Sequence, residues 1–263
     1  MKEHPSFARL VALIDRLLGP GGCPWDRAQT HETLKRCLLE ETYEVFDAID
    51  GDSREQLCEE LGDLILQPVM HAAMALRDGA FDIDAVCQGI VDKMERRHPH
   101  VFGNLSASTP EEVLKNWDSI KKSEKKEPAS ILAGVPATMP ALLRAHEISK
   151  RAARSGFEWP DIEAVFEKLR EEENELKAAL KAGDASEIEG EIGDLLFTAV
   201  NIARWAKIEP EEALRKMLAR FTKRFMRMEA MAEAPLAELS AERWDELWCA
   251  AKAEEAASAS TSS

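Results

Sequence analysis

One acidic pattern occurs twice in this 263-residue chain, at a fixed interval. Glu40-Glu41-x-x-Glu44 is followed by Glu60-x-x-Asp63, and Glu171-Glu172-x-x-Glu175 is followed by Glu191-x-x-Asp194. Every residue of the second copy lies 131 positions after its counterpart in the first. Such a register marks a duplicated unit whose carboxylates are held in a common frame. Their surroundings sharpen the point. Asp63 lies within Leu61-Gly62-Asp63-Leu64-Ile65-Leu66, and Asp194 within Ile192-Gly193-Asp194-Leu195-Leu196-Phe197. A carboxylate beside an apolar core is costly unless it is paired or bound to a cation. Residues three or four apart share one face of a helix, so Glu172 and Glu175 point one way from one helix, and Glu191 and Asp194 one way from the next. Two antiparallel helices bring the four together, and a divalent cation relieves their repulsion. Oxygen-only donors suit magnesium, with manganese as a substitute. The Glu-x-x-His of di-iron bundles is absent. The competing reading is a solvated acidic helix face, against which the repeat, the apolar flanks and the Gly before each Asp all weigh.

Hydrophobic periodicity is helical throughout, with no sustained two-residue alternation, so the expected class is all-α, built of tandem helical bundles. Helices are expected near residues 6–18, 31–50, 54–77 and 82–97, from Thr109-Pro110, and again near 140–154, 161–182, 186–206, 210–231 and 240–252. Residues 1–127 form the first unit, 128–138 a linker, and 139–263 the second unit, with a frayed Ala/Ser-rich tail from about 253. Pro68 falls inside the second acidic helix of the first unit and is expected to kink it. Gly19-Pro20-Gly21-Gly22-Cys23-Pro24 breaks the first helix, and without a following Gly-Lys-Ser/Thr it is not a P-loop. His98 and His100 flank Pro99, where a capped helix end is favoured over a metal pair.

The net charge is −15. That excludes general binding to nucleic acid polymers or anionic membranes, which need basic surfaces. No apolar run approaches a membrane span, and no signal peptide is visible. The five cysteines lack a C-x-x-C, and free thiols in a reducing cytoplasm are expected.

The halves differ in their basic residues. Arg220, Lys223 and Arg224 correspond to Gly89, Asp92 and Lys93, Lys168 corresponds to Cys37, and Asn201 to Met70. A metal-bound polyphosphate needs cations as well as carboxylates, so the second half is the expected catalytic one. Solvated helix charge is the alternative for Arg220 and Arg224. In the last helix, Trp244 and Trp248 share a face; either packs in a core or stacks on a base.

Several stretches carry a resemblance: Gly22-Cys23-Pro24-Trp25-Asp26, Leu39-Glu40-Glu41-Thr42-Tyr43-Glu44, Glu60-Leu61-Gly62-Asp63-Leu64, Glu95-Arg96-Arg97-His98-Pro99-His100-Val101-Phe102, Gly156-Phe157-Glu158-Trp159 and Gly193-Asp194-Leu195-Leu196-Phe197. From about residue 5 to 252 the chain resembles the long, duplicated MazG-type nucleoside triphosphate pyrophosphohydrolases. The resemblance implies a homodimer of all-α tandem units. It also implies magnesium-dependent hydrolysis of nucleoside triphosphates to the monophosphate and pyrophosphate. By position it puts metal ligands at Glu172, Glu175, Glu191 and Asp194, triphosphate-binding cations at Arg220 and Arg224, and a base-proximal Trp at Trp248. Pro68 departs from the usual pattern and puts the geometry at Glu60 and Asp63 in question, so Glu41, Glu44, Glu60 and Asp63 rank second as metal ligands.

In the mechanism expected from these residues, Glu171 is the candidate base, Glu172 and its neighbours hold metal, and Lys168, Asn201, Arg220, Lys223, Arg224 and Trp248 bind substrate. Two other classes compete. An isoprenoid-diphosphate enzyme needs Asp-rich clusters and a large apolar cavity. A non-catalytic helical partner protein leaves the apolar flanks and the one-sided cations unexplained.

Overall fold

The computed structural model describes residues 4–124 and 130–261. The chain divides into two compact units, Met1–Lys126 and Glu127–Ser263. The expected boundary at 127/128 and the start of the linker fall at residues outside the described ones. The first unit contains α1 (Pro5–Leu18), α2 (Pro24–Arg27), α3 (Lys35–Asp50), α4 (Arg54–Arg77), α5 (Ile83–Arg97), α6 (Pro99–Phe102) and α7 (Pro110–Ser123). The second contains α8 (Ala141–Arg154), α9 (Ile162–Ala182), α10 (Ala185–Trp205), α11 (Pro210–Met231) and α12 (Ala241–Thr261), with a 3-10 turn at Leu236–Glu238. No strand occurs among the described residues, so the fold is all-α and tandem.

Local sequence explains the boundaries. Ser53, Asp82, Thr109, Asp161, Asp184 and Glu209 each accept a hydrogen bond from a backbone N–H in the first turn of the helix that follows. This satisfies donors that a helix start leaves open. Gly183 ends α9 in the left-handed region at φ 75°, where a side chain is strained. The Gly-rich segment has a packing role, since a Cβ on Gly22 would run into the carbonyl of Leu17 at the end of α1.

The two units share one packing scheme. In the first, α4 packs against α1, α3 and α5, and α5 against α7; in the second, α10 packs against α8, α9 and α11, and α11 against α12. The core of the first unit gathers Ile14, Leu34, Val69, Met70 and Met74. In the second, Met228, Leu247 and Ala251 form a cluster lined by Trp244 and Trp248.

Two local expectations need correction. The short helices α2 and α6 fall where only a loop and a helix end are expected; Pro at the first position of each, with its fixed φ, starts a single turn. And α12 does not stop near residue 252 but continues to Thr261. The Ala-rich sequence favours helix there, and Glu254 and Glu255 add ion pairs to Arg227 and Arg224 of α11. Pro68 lies inside α4, which spans it without a break. His98 closes α5, its Nδ1 2.6 Å from the Met94 carbonyl, as a capped end requires.

A clamp fastens the last helix pair in each unit. Glu124 binds Arg96 and Arg97 at 2.6 Å each, and Arg97 lies over Trp117. Glu255 and Trp248, 131 residues after Glu124 and Trp117, meet Arg224 of a different register, which binds Glu255 and lies over Trp248. The hydrogen bonds from Arg97 and Arg96 hold the Glu124 carboxyl at about 2, against an ordinary 4.5. A carboxyl depressed by folding contributes stability above its unfolded value and loses it as pH falls through the folded one. Protection of α7 amides against hydrogen exchange should therefore weaken between pH 4.5 and 2. In Glu124→Gln that step should be missing.

Candidate active site

The acidic clusters follow from the turn between paired helices. Only Gly183 and Asp184 separate α9 from α10, and so short a connection makes the helices antiparallel neighbours. Glu175 lies eight residues before Gly183 and Glu191 seven after Asp184; Glu172 and Asp194 lie eleven before and ten after. Distances from one turn that differ by a single residue put these positions nearly level on facing helices. Carboxylate oxygens of Glu172, Glu175 and Glu191 accordingly lie within 4.8 Å of one another. Glu172 is only 4 % exposed, and Glu191 Oε2 is buried with no hydrogen-bond partner. Lost hydration, then a hydrogen bond that the neutral Glu175 carboxyl donates to Glu172, push the Glu175 carboxyl above its ordinary value. An orphaned oxygen among crowded carboxylates fits a hard cation, which these donors could hold. Asp194 is not within that tight set; it lines the adjoining cavity.

Lys168 joins the two features. One turn before the cluster on α9, its Nζ lies 2.8 Å from Glu171, 2.9 Å from Glu172 and 4.0 Å from Glu175. The hydrogen bonds to Glu171 and Glu172 raise its pKa, so it stays a cation. Glu171 is exposed, with its side chain tethered by this contact. Lys168, Glu172 and Asp194 form one wall of a cavity of about 400 Å³. Phe157, Trp159, Pro160 and Phe197 form its apolar wall, and Ser149, Glu158, Thr198, Asn201 and Arg204 its polar end. Apolar walls with a few fixed polar groups are the usual make-up of a small-molecule site. The polar end is tightly bonded. Arg204 binds the Glu158 carboxylate through both terminal nitrogens and Ser149 Oγ through Nε at 2.7 Å. Ser149 Oγ lies 2.6 Å from Asn201 Oδ1. The hydrogen bonds from Arg204 lower the pKa of Glu158.

The profile of the MazG nucleotide pyrophosphohydrolase domain matches residues 29–102 and again 161–227. The chain belongs to the MazG family. It is 44 % identical to the Thermotoga maritima nucleoside triphosphate pyrophosphohydrolase/pyrophosphatase MazG, over 94 % of this chain and 95 % of that one. It is 42 % identical to the Escherichia coli nucleoside triphosphate pyrophosphohydrolase, over 94 % and 97 %. The uncharacterized Bacillus subtilis protein YabN is 43 % identical over 95 % of this chain and 52 % of its own length.

The two MazG units are alike in acids and unlike in everything around them. The first unit brings together Glu41, Glu60 and Asp63 within 4.8 Å despite Pro68. Burial and the neighbouring Glu44, Asp63 and Glu60 raise the Glu41 carboxyl, so Glu44 belongs to the same group of charges. Three of the polar residues that line the cavity, however, are not repeated there. Lys168, Asn201 and Arg204 correspond to Cys37, Met70 and Ala73, all of which belong to the apolar core of the first unit. Where α8 buries Ser149, α1 buries Ile14.

The remaining basic residues are not brought to the cavity within one chain. Arg220, Lys223 and Arg224 lie on α11; Arg220 and Lys223 are exposed, and Arg224 is held by Glu255. Trp248 packs against Phe221 and the Met228 cluster, which is the core reading of the last-helix tryptophans. Neither the three cations nor Trp248 lines the cavity that contains Glu172 and Asp194. Sequence reasoning missed Ser149, Glu158, Thr198 and Arg204. Arg204 carried a readable signal, since it lies a turn after Asn201 and replaces an alanine of the first unit.

Proposed function

We propose that the chain is a magnesium-dependent nucleoside triphosphate pyrophosphohydrolase, acting on ribo- and deoxyribonucleotides, with its chemistry in the C-terminal unit. The observation that carries this reading is the junction of the Glu172–Glu175–Glu191 cluster with a lined cavity, three of whose polar positions are apolar in the other unit. The names borne by the Thermotoga maritima and Escherichia coli relatives support the activity.

Glu172, Glu175 and Glu191, with Asp194, would hold the magnesium, which supplies charge neutralisation for the phosphate oxygens. The chain's own residues do the rest. Lys168 offsets carboxylate repulsion and offers a fixed cation at the mouth of the cavity. The cavity takes the nucleoside, its aromatic wall against the base, and keeps water from the base-binding end. Glu171, tethered by Lys168, takes the proton of the attacking water as the α–β bond opens. In-line positioning and charge stabilisation are what such a hydrolysis needs.

Arg220, Lys223 and Arg224 enter through a homodimer. The chain exposes 18942 Å², whereas two separate compact units of half its mass would expose about 14,000 Å². Part of the excess is an apolar stripe that recurs in both units: Ile49, Leu61 and Ile65 in the first, and Leu180, Ile192 and Leu196 in the second, all exposed. A second copy covering it brings another α11 to the acids. Mixing inactive Glu172→Gln and Arg224→Ala chains should then restore part of the activity, and light scattering should give twice the chain mass. A monomer, or no restoration, removes the dimer from the account. The activity is tested by product analysis with magnesium and with chelator. Monophosphate and pyrophosphate are expected with magnesium only; orthophosphate would place the cleavage at another bond.

A further inference from the structure

The polar end of the cavity has a direction. An Arg guanidinium only donates hydrogen bonds, so Ser149 Oγ accepts from Arg204 Nε. The single Ser149 proton is then left for Asn201 Oδ1, which also takes a weaker bond from Arg204 at 3.4 Å. On the other side, Asn201 Nδ2 donates to the Phe197 carbonyl at 3.0 Å, which only accepts. Amide orientation is often a matter of choice between two flips, but here the partners at both ends permit one. The oxygen of Asn201 is used up. Its second N–H has no acceptor among the described residues, and Asn201 lines the cavity. Glu158, the one carboxylate at this end, is engaged as well: Oε1 accepts from Arg204, the Trp159 backbone and the Trp205 indole, and Oε2 from Arg204.

We propose that the Arg204–Ser149–Asn201 chain makes this cavity a reader of keto bases. It presents a directed amide donor and withholds the amide acceptor, so it favours nucleotides whose base carries a carbonyl oxygen over those with an amino group in its place. The inference rests on the pyrophosphohydrolase reading and adds a substrate class to it. The fold itself does not require the Asn201 and Arg204 groups, because the first unit builds the corresponding positions from Met70 and Ala73 inside an apolar core. Buried polar groups that packing could replace are costly to keep, and a directional chain ending in a free donor suits recognition. Asn201 touches the base; Ser149 and Arg204 are positioning residues, acting by locking its amide.

The test compares bases that differ only in this group: uracil with cytosine, and hypoxanthine with adenine. Calorimetric binding of UMP, CMP, IMP and AMP to the full-length protein is measured beside kcat/KM for pyrophosphate release from the triphosphates. The keto member of each pair should win by about tenfold, the scale of one hydrogen bond. In Ser149→Ala the amide is free to turn, and the preference should collapse while the protein keeps its melting transition. Asn201→Asp, which puts an oxygen where the donor was, should abolish or reverse the preference even if Ser149→Ala fails to fold. Equal binding of both members by the wild type, an amino preference, or a ratio untouched by the Ser149 and Asn201 variants overturns the proposal. If no triphosphate is hydrolysed, the activity reading fails, while the monophosphate binding ratios still decide this one.

Discussion

Glu172→Gln should lower kcat by about a thousandfold, the scale of losing a group that organises charge in the transition state, while leaving the fold intact. Glu172 is buried, it belongs to the tight carboxylate set, and its side chain bonds Lys168. Glutamine keeps the shape and an oxygen for Lys168 but removes one negative charge. In the absence of divalent cations that removal relieves repulsion with Glu175, so the melting temperature should hold or rise. Magnesium should then stabilise the wild type more than the variant, because a ligand that binds only the folded state raises stability by mass action. The combination separates a ligand from a structural residue, whose loss lowers activity and melting temperature together. An active Glu172→Gln, or one that melts early, contradicts the assignment.

Arg204→Ala should cost about 2 kcal/mol of stability, somewhat below the usual range for breaking a buried pair because Glu158 is partly exposed. The Arg204 side chain is 13 % exposed and that of Glu158 31 %. Truncation removes both guanidinium bonds from the Glu158 carboxylate and one from the buried Ser149 Oγ, which keeps only Asn201 Oδ1. The pH dependence has a definite sign. Glu158 has its carboxyl lowered from 4.5 in the folded state, so its contribution is whole above about that pH and drains away as pH falls below it. Wild type and Arg204→Ala should therefore converge in stability under acid and differ most near neutrality. Chemical denaturation at several pH values measures this; a gap independent of pH would mean that Arg204 acts through packing alone.

The architecture was largely legible, because it rests on signals carried by single residues. Apolar periodicity marked the helices, Thr109-Pro110 marked the start of one, and the 131-residue interval marked the repeat. The acidic clusters could be placed because one short turn fixes the register of α9 on α10. What could not be read depends on partners distant in sequence. Arg204 meets Glu158 across 46 residues, and neither residue type alone distinguishes a solvated charge from a cavity wall. At Pro68 the missing amide bond is a local loss, and the packing of Val69, Met70 and Met74 lets α4 run on past it. The tail misled because composition suggested fraying, while the arginines that hold Glu254 and Glu255 lie on another helix.

If the proposed division of labour holds, the C-terminal acidic cluster, beside its cavity, carries the chemistry and the N-terminal one does not. Pyrophosphate release from a triphosphate panel in magnesium, compared between wild type, Glu191→Gln and Glu60→Gln, tests it most directly. The account predicts loss of release in Glu191→Gln and turnover within about twofold of wild type in Glu60→Gln, as for a change outside the catalytic machinery. Equal losses in the two variants, or loss confined to Glu60→Gln, would contradict it.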